Sequence, residues 1–271
     1  MVKAIRRYSI KNIRRGKSKS VVFTRIFFSY LVILLIPFLI FSVLTLSITR
    51  NIKENSVRES EYVLDSVSDV MNYKMEMVYS DILNINNNIM FKEIINAEAN
   101  ERELLQLLPF RKEISYLEEN GDVIYVYLPG EEFLVSSKGV YSKIEELYGT
   151  VFSYGDMDFQ SFHSQILNGN YQNEYLPEAE VKVNSGKGSA ILYLEKLPFG
   201  TKNAAGATVL FFINSDQIDR KIQTYVDNGN YWFGIYTKEG KRIYSTENCP
   251  EDMDQVVEEC QDQDTRYFSA R

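Results

Sequence analysis

Between Arg25 and Arg50 the chain runs for 24 residues without a charge, "IFFSYLVILLIPFLIFSVLTLSIT". As a helix rising ~1.5 Å per residue, this stretch is ~36 Å long, enough to cross a hydrocarbon core of ~30 Å with some tilt. Lipid offers no water to pair peptide groups, so a helix is the form such a segment takes, and Pro37 in mid-span is tolerated there. The flanks set its direction. Nine of the 30 basic residues and none of the 37 acidic ones fall in positions 1–25. The other 21 basic residues stand against all 37 acids, a net of −16 beyond Arg25. By the positive-inside rule, residues 1–25 are a cytoplasmic basic tail, 26–49 the membrane helix, and 50–271 extracytoplasmic, all at the cell membrane. A cleaved export signal has a shorter apolar run of ~7–15 residues and a small-residue end; this run is longer and ends in "LTLSITR". The tail has only Tyr8 as an aromatic, so anionic lipid explains its charge more simply than nucleic acid does.

Residues 50–91 contain no Gly or Pro, and Val63, Val67, Val70, Ile82, Ile85 and Ile89 fall at helical steps of three and four. The spacing predicts a long helix, either a stalk that pairs with its copy in a homodimer or a helix packed along a sheet. A second helix is expected over 100–119, with Pro109 as an internal break. The period then changes. "DVIYVYL" (122–128), "EFLVSS", "SAILYLEKL" (189–197) and "GATVLFFI" (206–213) read as strands, and "NSDQIDRKIQTYV" as a helix capped by Asn214 or Ser215. Short helices are expected in "SKIEELYG" and "DFQSFHSQIL". At Tyr231 the pattern of strand, turn and strand restarts with "YWFGIYT" and "KRIYST", followed by a helix from Pro250. Strands with helices on one face make an α+β arrangement. The second module, 229–271, is expected to be incomplete, because two strands and one helix do not close a stable sheet.

Catalytic chemistry has little to stand on. The chain has one histidine, His163, and two cysteines, Cys249 and Cys260. That is too few for a four-ligand zinc site without carboxylates. "NSGKGSA" lacks the phosphate-loop spacing and reads as a hairpin turn. Neither an enzyme activity nor a cofactor is expected. Outside the cell the two cysteines are either a disulfide or two free thiols; their spacing does not decide. What remains is a set of aromatic residues on the expected strands: Tyr125, Tyr127, Tyr193 and Phe211, with Tyr141 in the segment "SSKGVYS". Tyrosine joins an apolar body to a polar tip, which suits a small-ligand pocket; the alternative is plain core packing.

The basic tail, "FFSYLVILLIPFLIFSVL", the long helix, "DVIYVYLPGEEFLVSSKGVYS" and "FFINSDQIDRKI" together resemble membrane-bound AraC-type transcriptional regulators of Gram-positive bacteria. The resemblance implies an extracytoplasmic double-Cache (PAS-like) sensor: a stalk and membrane-distal module over 50–228 and the start of a membrane-proximal module over 229–271. It implies a small-molecule ligand or a solute-binding protein as partner, and a DNA-binding output in a C-terminal part that this chain lacks. Membrane histidine kinases and chemoreceptors share such a front half, and either is the alternative.

Overall fold

The computed structural model describes residues 5–97, 104–118, 121–130, 132–199, 206–226, 232–237, 239–246, 249–250, 253–254 and 257. Helix α1 runs Ile5–Asn87, and the chain divides into two compact units inside it, Met1–Tyr62 and Val63–Arg271.

In the first unit the apolar side chains are exposed all round: Phe28, Leu34 and Phe41 are 60%, 74% and 70% exposed. One helix is thus long and apolar enough to cross a membrane, with a mean hydropathy of 2.8 in its most apolar window. Two of its hydroxyls bond back within the helix. Ser42 Oγ donates to Phe38 O at 2.8 Å and Thr45 Oγ1 to Phe41 O at 2.9 Å, as a medium without water requires.

The second unit has the expected α+β fold, a PAS-like (Cache) antiparallel sheet module with a second, smaller sheet. After α1 come α2 (Ile89–Asn96) and α3 (Leu104–Leu117). Seven strands then form one antiparallel sheet: β1 (Val123–Leu128), β2 (Phe133–Ser136), β3 (Val140–Tyr141), β4 (Ser153–Tyr154), β5 (Asn173–Val183), β6 (Gly186–Leu197) and β7 (Ala207–Asn214). Their spatial order is β3-β2-β1-β7-β6-β5-β4. Between β3 and β5 lie two short helices, α4 (Ile144–Leu147) and α5 (Phe159–Ser161), and a π-helical turn at Phe162–Leu167. Helix α6 (Ser215–Val226) follows β7, with Asn214 Oδ1 accepting the Asp216 N–H at 3.0 Å as its cap. Strands β8 (Gly234–Tyr236) and β9 (Arg242–Ser245) form the second sheet among the described residues. The helix expected from Pro250, and Cys260 with it, fall largely outside the described residues.

Period-2 alternation sorts the sheet's side chains into two cores. Ile124, Val126, Val209, Phe211 and Ile213 face α1, α2, α3 and α6. On α1, Val63, Val67, Ile82 and Ile85 are buried in this core, so the predicted stripe packs along the sheet of its own chain; Val70 is half-buried and Ile89 exposed. The opposite face is covered too. Tyr125, Tyr127, Leu192, Leu210 and Phe212 pack against Ile144, Phe152, Phe162 and Ile166 from the segment between β3 and β5.

A buried ion pair fastens α1 to the sheet. Lys74 donates to Asp122 Oδ2, and the other oxygen of that carboxylate accepts the Asn214 N–H at 3.0 Å. Both side chains are nearly buried, at 11% and 4% exposure. One aspartate thus joins the helix, the start of β1 and the end of β7.

Candidate functional site

Alternation decides where the five sequence-selected aromatics go. Tyr125 and Tyr127 project from the face away from α1, at 0% and 1% exposure, and half-buried Tyr141 packs against the same cluster. Tyr193 and Phe211 are cross-strand partners on the opposite face, under the helices. The five therefore do not line one space. Tyr125 is tied into the core: its hydroxyl accepts the Asn184 N–H at 2.8 Å and donates to Asn184 Oδ1 at 3.1 Å. Burial pushes its phenol well above the usual tyrosine range. Tyr193 donates to Glu195 Oε2 at 2.6 Å, and its ring stacks on Tyr175 with centroids 4.5 Å apart.

An open cleft of about 490 Å³ lies beside Tyr127, lined by Glu132, Lys143, Ile144, Glu146, Phe159 and His163, with Glu145 and Gln160 completing it. Three local structures supply these groups: the turn between β1 and β2, helix α4, and the α5–π-turn segment. Glu132 and Lys143 both sit in the left-handed region, at φ 53° and 56°, a conformation that costs a non-glycine residue energy and concentrates at functional sites. His163 Nε2 stands 3.5 Å from Glu132 Oε1, and Lys143 Nζ 3.4 Å from Glu146 Oε1. The imidazole lies 5.5 Å from the Phe159 ring and edge-on to Tyr127 at 6.4 Å. Burial raises the Tyr127 phenol above its ordinary value; a hydrogen bond with Asn168 opposes the shift and Glu132 adds to it.

Behind the cleft the row Tyr127–Thr208–Lys196 crosses β1, β7 and β6. Lys196 Nζ donates to Leu167 O at 2.7 Å and to Thr208 Oγ1 at 2.8 Å, and lies 4.9 Å from the Tyr171 ring centroid. Burial holds its ammonium down to about 8. Thr208 Oγ1 also donates to Leu167 O at 3.0 Å. The π-helical turn presents this carbonyl, and Gly169 makes the exit possible: a Cβ there would stand 2.0 Å from Gln165 O.

Among the described residues no group of three or more His, Cys, Asp and Glu could hold a metal ion. The cleft combines mixed charge, an amide and two aromatic surfaces, which equips it to bind a small polar molecule. Sequence reading named His163 only as the chain's one histidine, within an expected short helix, and did not select Glu132, Lys143, Phe159 or Gln160. Cys249 donates to Pro250 O at 3.9 Å; its pairing with Cys260 lies outside the described residues.

No family model matches the chain, and no curated protein matches it. Among solved structures it is similar to the ligand-binding domain of the Campylobacter jejuni chemoreceptor Tlp3 in complex with L-valine. That match has 12% identity and a TM-score of 0.39, and covers 69% of this chain and 72% of that one. The sensory domain of the same chemoreceptor with isoleucine bound gives the same figures. These findings correct the assignment to AraC-type regulators: what the fold is similar to is a chemoreceptor sensory domain, and nothing matched brings in a DNA-binding regulator.

Proposed function

We propose that this chain is the sensor region of a membrane receptor of the chemoreceptor or histidine-kinase kind. In this reading residues 1–25 stay in the cytoplasm, 26–49 cross the membrane, and the sheet module outside binds a small molecule in the cleft beside Tyr127. The observation that carries it is the composition of α1: one helix holds an uncharged apolar stretch with none of it buried and, further on, a stripe buried in the module's core. A ligand that favours one arrangement of the module shifts its population, and α1 is the element through which that shift reaches the membrane. In this reading 50–228 form the stalk helix and membrane-distal module, and 229–271 begin the membrane-proximal one. A homodimer belongs to this reading, with an interface other than the Val63/Val67/Ile82/Ile85 stripe, which the sheet covers.

The test is labelling of intact cells with a membrane-impermeant maleimide, in a chain whose two native cysteines are replaced by serine. Ser164→Cys, on an exposed position, should react, and Ser18→Cys should react only after lysis. Equal labelling of both in intact cells would overturn the topology. For the cleft, a small-molecule panel is screened by thermal shift on the purified full chain, and any stabilising compound should lose its effect in Glu132→Ala or His163→Ala.

A further inference from the structure

Lys196 is the only buried charged side chain on the cleft-side face of the sheet among the described residues. Taking an ammonium out of water costs several kcal/mol unless an opposite charge meets it. None does: no carboxylate lies within ion-pair distance of Lys196 among the described residues, and burial alone shifts its proton affinity. An ammonium has three donors. Two are used, on Leu167 O and Thr208 Oγ1. The nitrogen also lies 4.9 Å from the centroid of the Tyr171 ring, so every partner it has among the described residues is neutral. A buried charge met by neutral partners alone calls for an explanation, and a role in binding an anion is one.

Position supports the same explanation. A polar track leads from the cleft to Lys196: His163, which lines the cleft, then Asn168 at 3.2 Å from its Nε2, then Tyr127, then Thr208 and Lys196 in one cross-strand row. At the cleft's lip Lys143, its one lysine, is paired with Glu146, and Glu132 and Glu145 leave the lip acidic. The uncompensated cation lies inside.

We propose that Lys196 is the anion-binding residue of the cleft, and that the ligand carries a carboxylate. This rests on the reading of the cleft as a small-molecule site. The Leu167 carbonyl occupies the anion's place in the present arrangement. An entering carboxylate takes over the Lys196 ammonium and the Thr208 hydroxyl, and releases the π-helical turn that ends at Leu167. Because His163 belongs to that turn, binding at Lys196 and the shape of the cleft change together.

The experiment is a thermal-shift titration of the purified full chain in nanodiscs at constant ionic strength. The probes are sodium butyrate, with butan-1-ol and butylammonium as the neutral and cationic counterparts. The expected result is a melting midpoint that climbs with butyrate, does not respond to the other two, and ceases to respond to butyrate in Lys196→Met. Replacing a buried charge by an apolar side chain of similar length is tolerated by many folds; should Lys196→Met not fold, Thr208→Val serves, with an expected loss of at least fivefold in apparent butyrate affinity. An equal butyrate shift in the variant, or none in the wild type, overturns the proposal. If butylammonium or butan-1-ol stabilises the chain and His163→Ala abolishes that effect, the cleft stands as a binding site and the anion assignment alone falls. If no probe and no compound of the wider panel stabilises it, both fall.

Discussion

Removing Asp122 should loosen α1 from the sheet more than any other single polar change. Asp122→Ala leaves Lys74 without its carboxylate partner in a site where its side chain is 11% exposed. Breaking a buried pair in this way costs about 3–5 kcal/mol. The Asn214 N–H loses its acceptor as well, a loss of about 1–3 kcal/mol for a buried donor. The two losses share one side chain and do not add fully, so about 4 kcal/mol is expected. With a urea m-value of about 2 kcal/mol per molar, the unfolding midpoint falls by about 2 M. The assay is urea unfolding of the full chain in detergent followed by emission of Trp232, the single tryptophan, because far-UV signal is dominated by the apolar helix that detergent preserves. The double variant Lys74→Met/Asp122→Ala removes the stranded charge and should recover more than half of the loss. A midpoint drop under 0.5 M (about 1 kcal/mol at that m-value) for Asp122→Ala, or no recovery in the double variant, would refute the account of the pair as a buried fastening.

Tyr127→Ala removes a side chain that is 1% exposed and should cost about 3–5 kcal/mol in the same assay, as large aromatic truncations do; Tyr127→Phe should cost far less. Gly169→Ala drives a Cβ to within 2.0 Å of Gln165 O, so hydrogen exchange should show the π-helical turn losing protection while β1 and β7 keep theirs. The pH dependence of stability has a defined sign at Lys196. Its folded-state value is about 8 against an ordinary 10.5, so the unfolded chain binds more protons between those values and stability rises with pH across that window. The groups around it are the phenols of Tyr127 and Tyr171, whose folded-state values are raised; they oppose the rise only from about pH 10, their ordinary value. Subtracting the profile of Lys196→Met from that of the wild type should leave a rise between pH 8 and 10, and a flat difference would contradict the burial of that charge.

Local patterns carried the membrane stretch, the stripe on α1 and most strands, because each is written in consecutive residues. The alternation in "DVIYVYL" separates Tyr125 and Tyr127 from Ile124, Val126 and Leu128, and the structure puts the two sets on opposite faces. Strand β5 was not legible. Its sequence "NEYLPEAEVKV" has a proline and three glutamates, and the strand accommodates Pro177 at a register shift between Leu176 and Ala179, a place where sheets tolerate proline. The end of α1 at Asn87 was hidden because Asn88 acts as a cap only where the chain turns, its Oδ1 accepting the Phe91 N–H. The cleft was least legible of all. Glu132, Lys143 and His163 come from a turn, a one-turn helix and a π-helical turn, and only the packing of the β3–β5 segment over the sheet brings them together. That segment also closes the face that alternation alone would leave open to a ligand.

Strand β6 gives the two sides of the sheet a common element. Glu195 and Lys196 are neighbours in sequence, both nearly buried, and alternation turns them to opposite faces. Lys196 holds the Leu167 carbonyl at the end of the π-helical turn. Glu195 accepts from Tyr193, in the core that α1 covers, and burial raises its carboxyl above the ordinary range against the hydrogen bonds of Tyr193 and Asn173. A close-packed interior is bistable rather than continuously deformable. On the proposal above, a shift of β6 that follows the release of Leu167 is felt at Glu195 within one residue. The Tyr193–Glu195 contact lies in the same core as Val78 and Ile82 of α1. Glu195→Gln keeps the shape and the Tyr193 contact while removing the titrating group. Crosslinking or labelling along α1 that responds to a cleft ligand should persist in Glu195→Gln and disappear in Glu195→Ala, because on this argument packing rather than charge carries the change across the sheet.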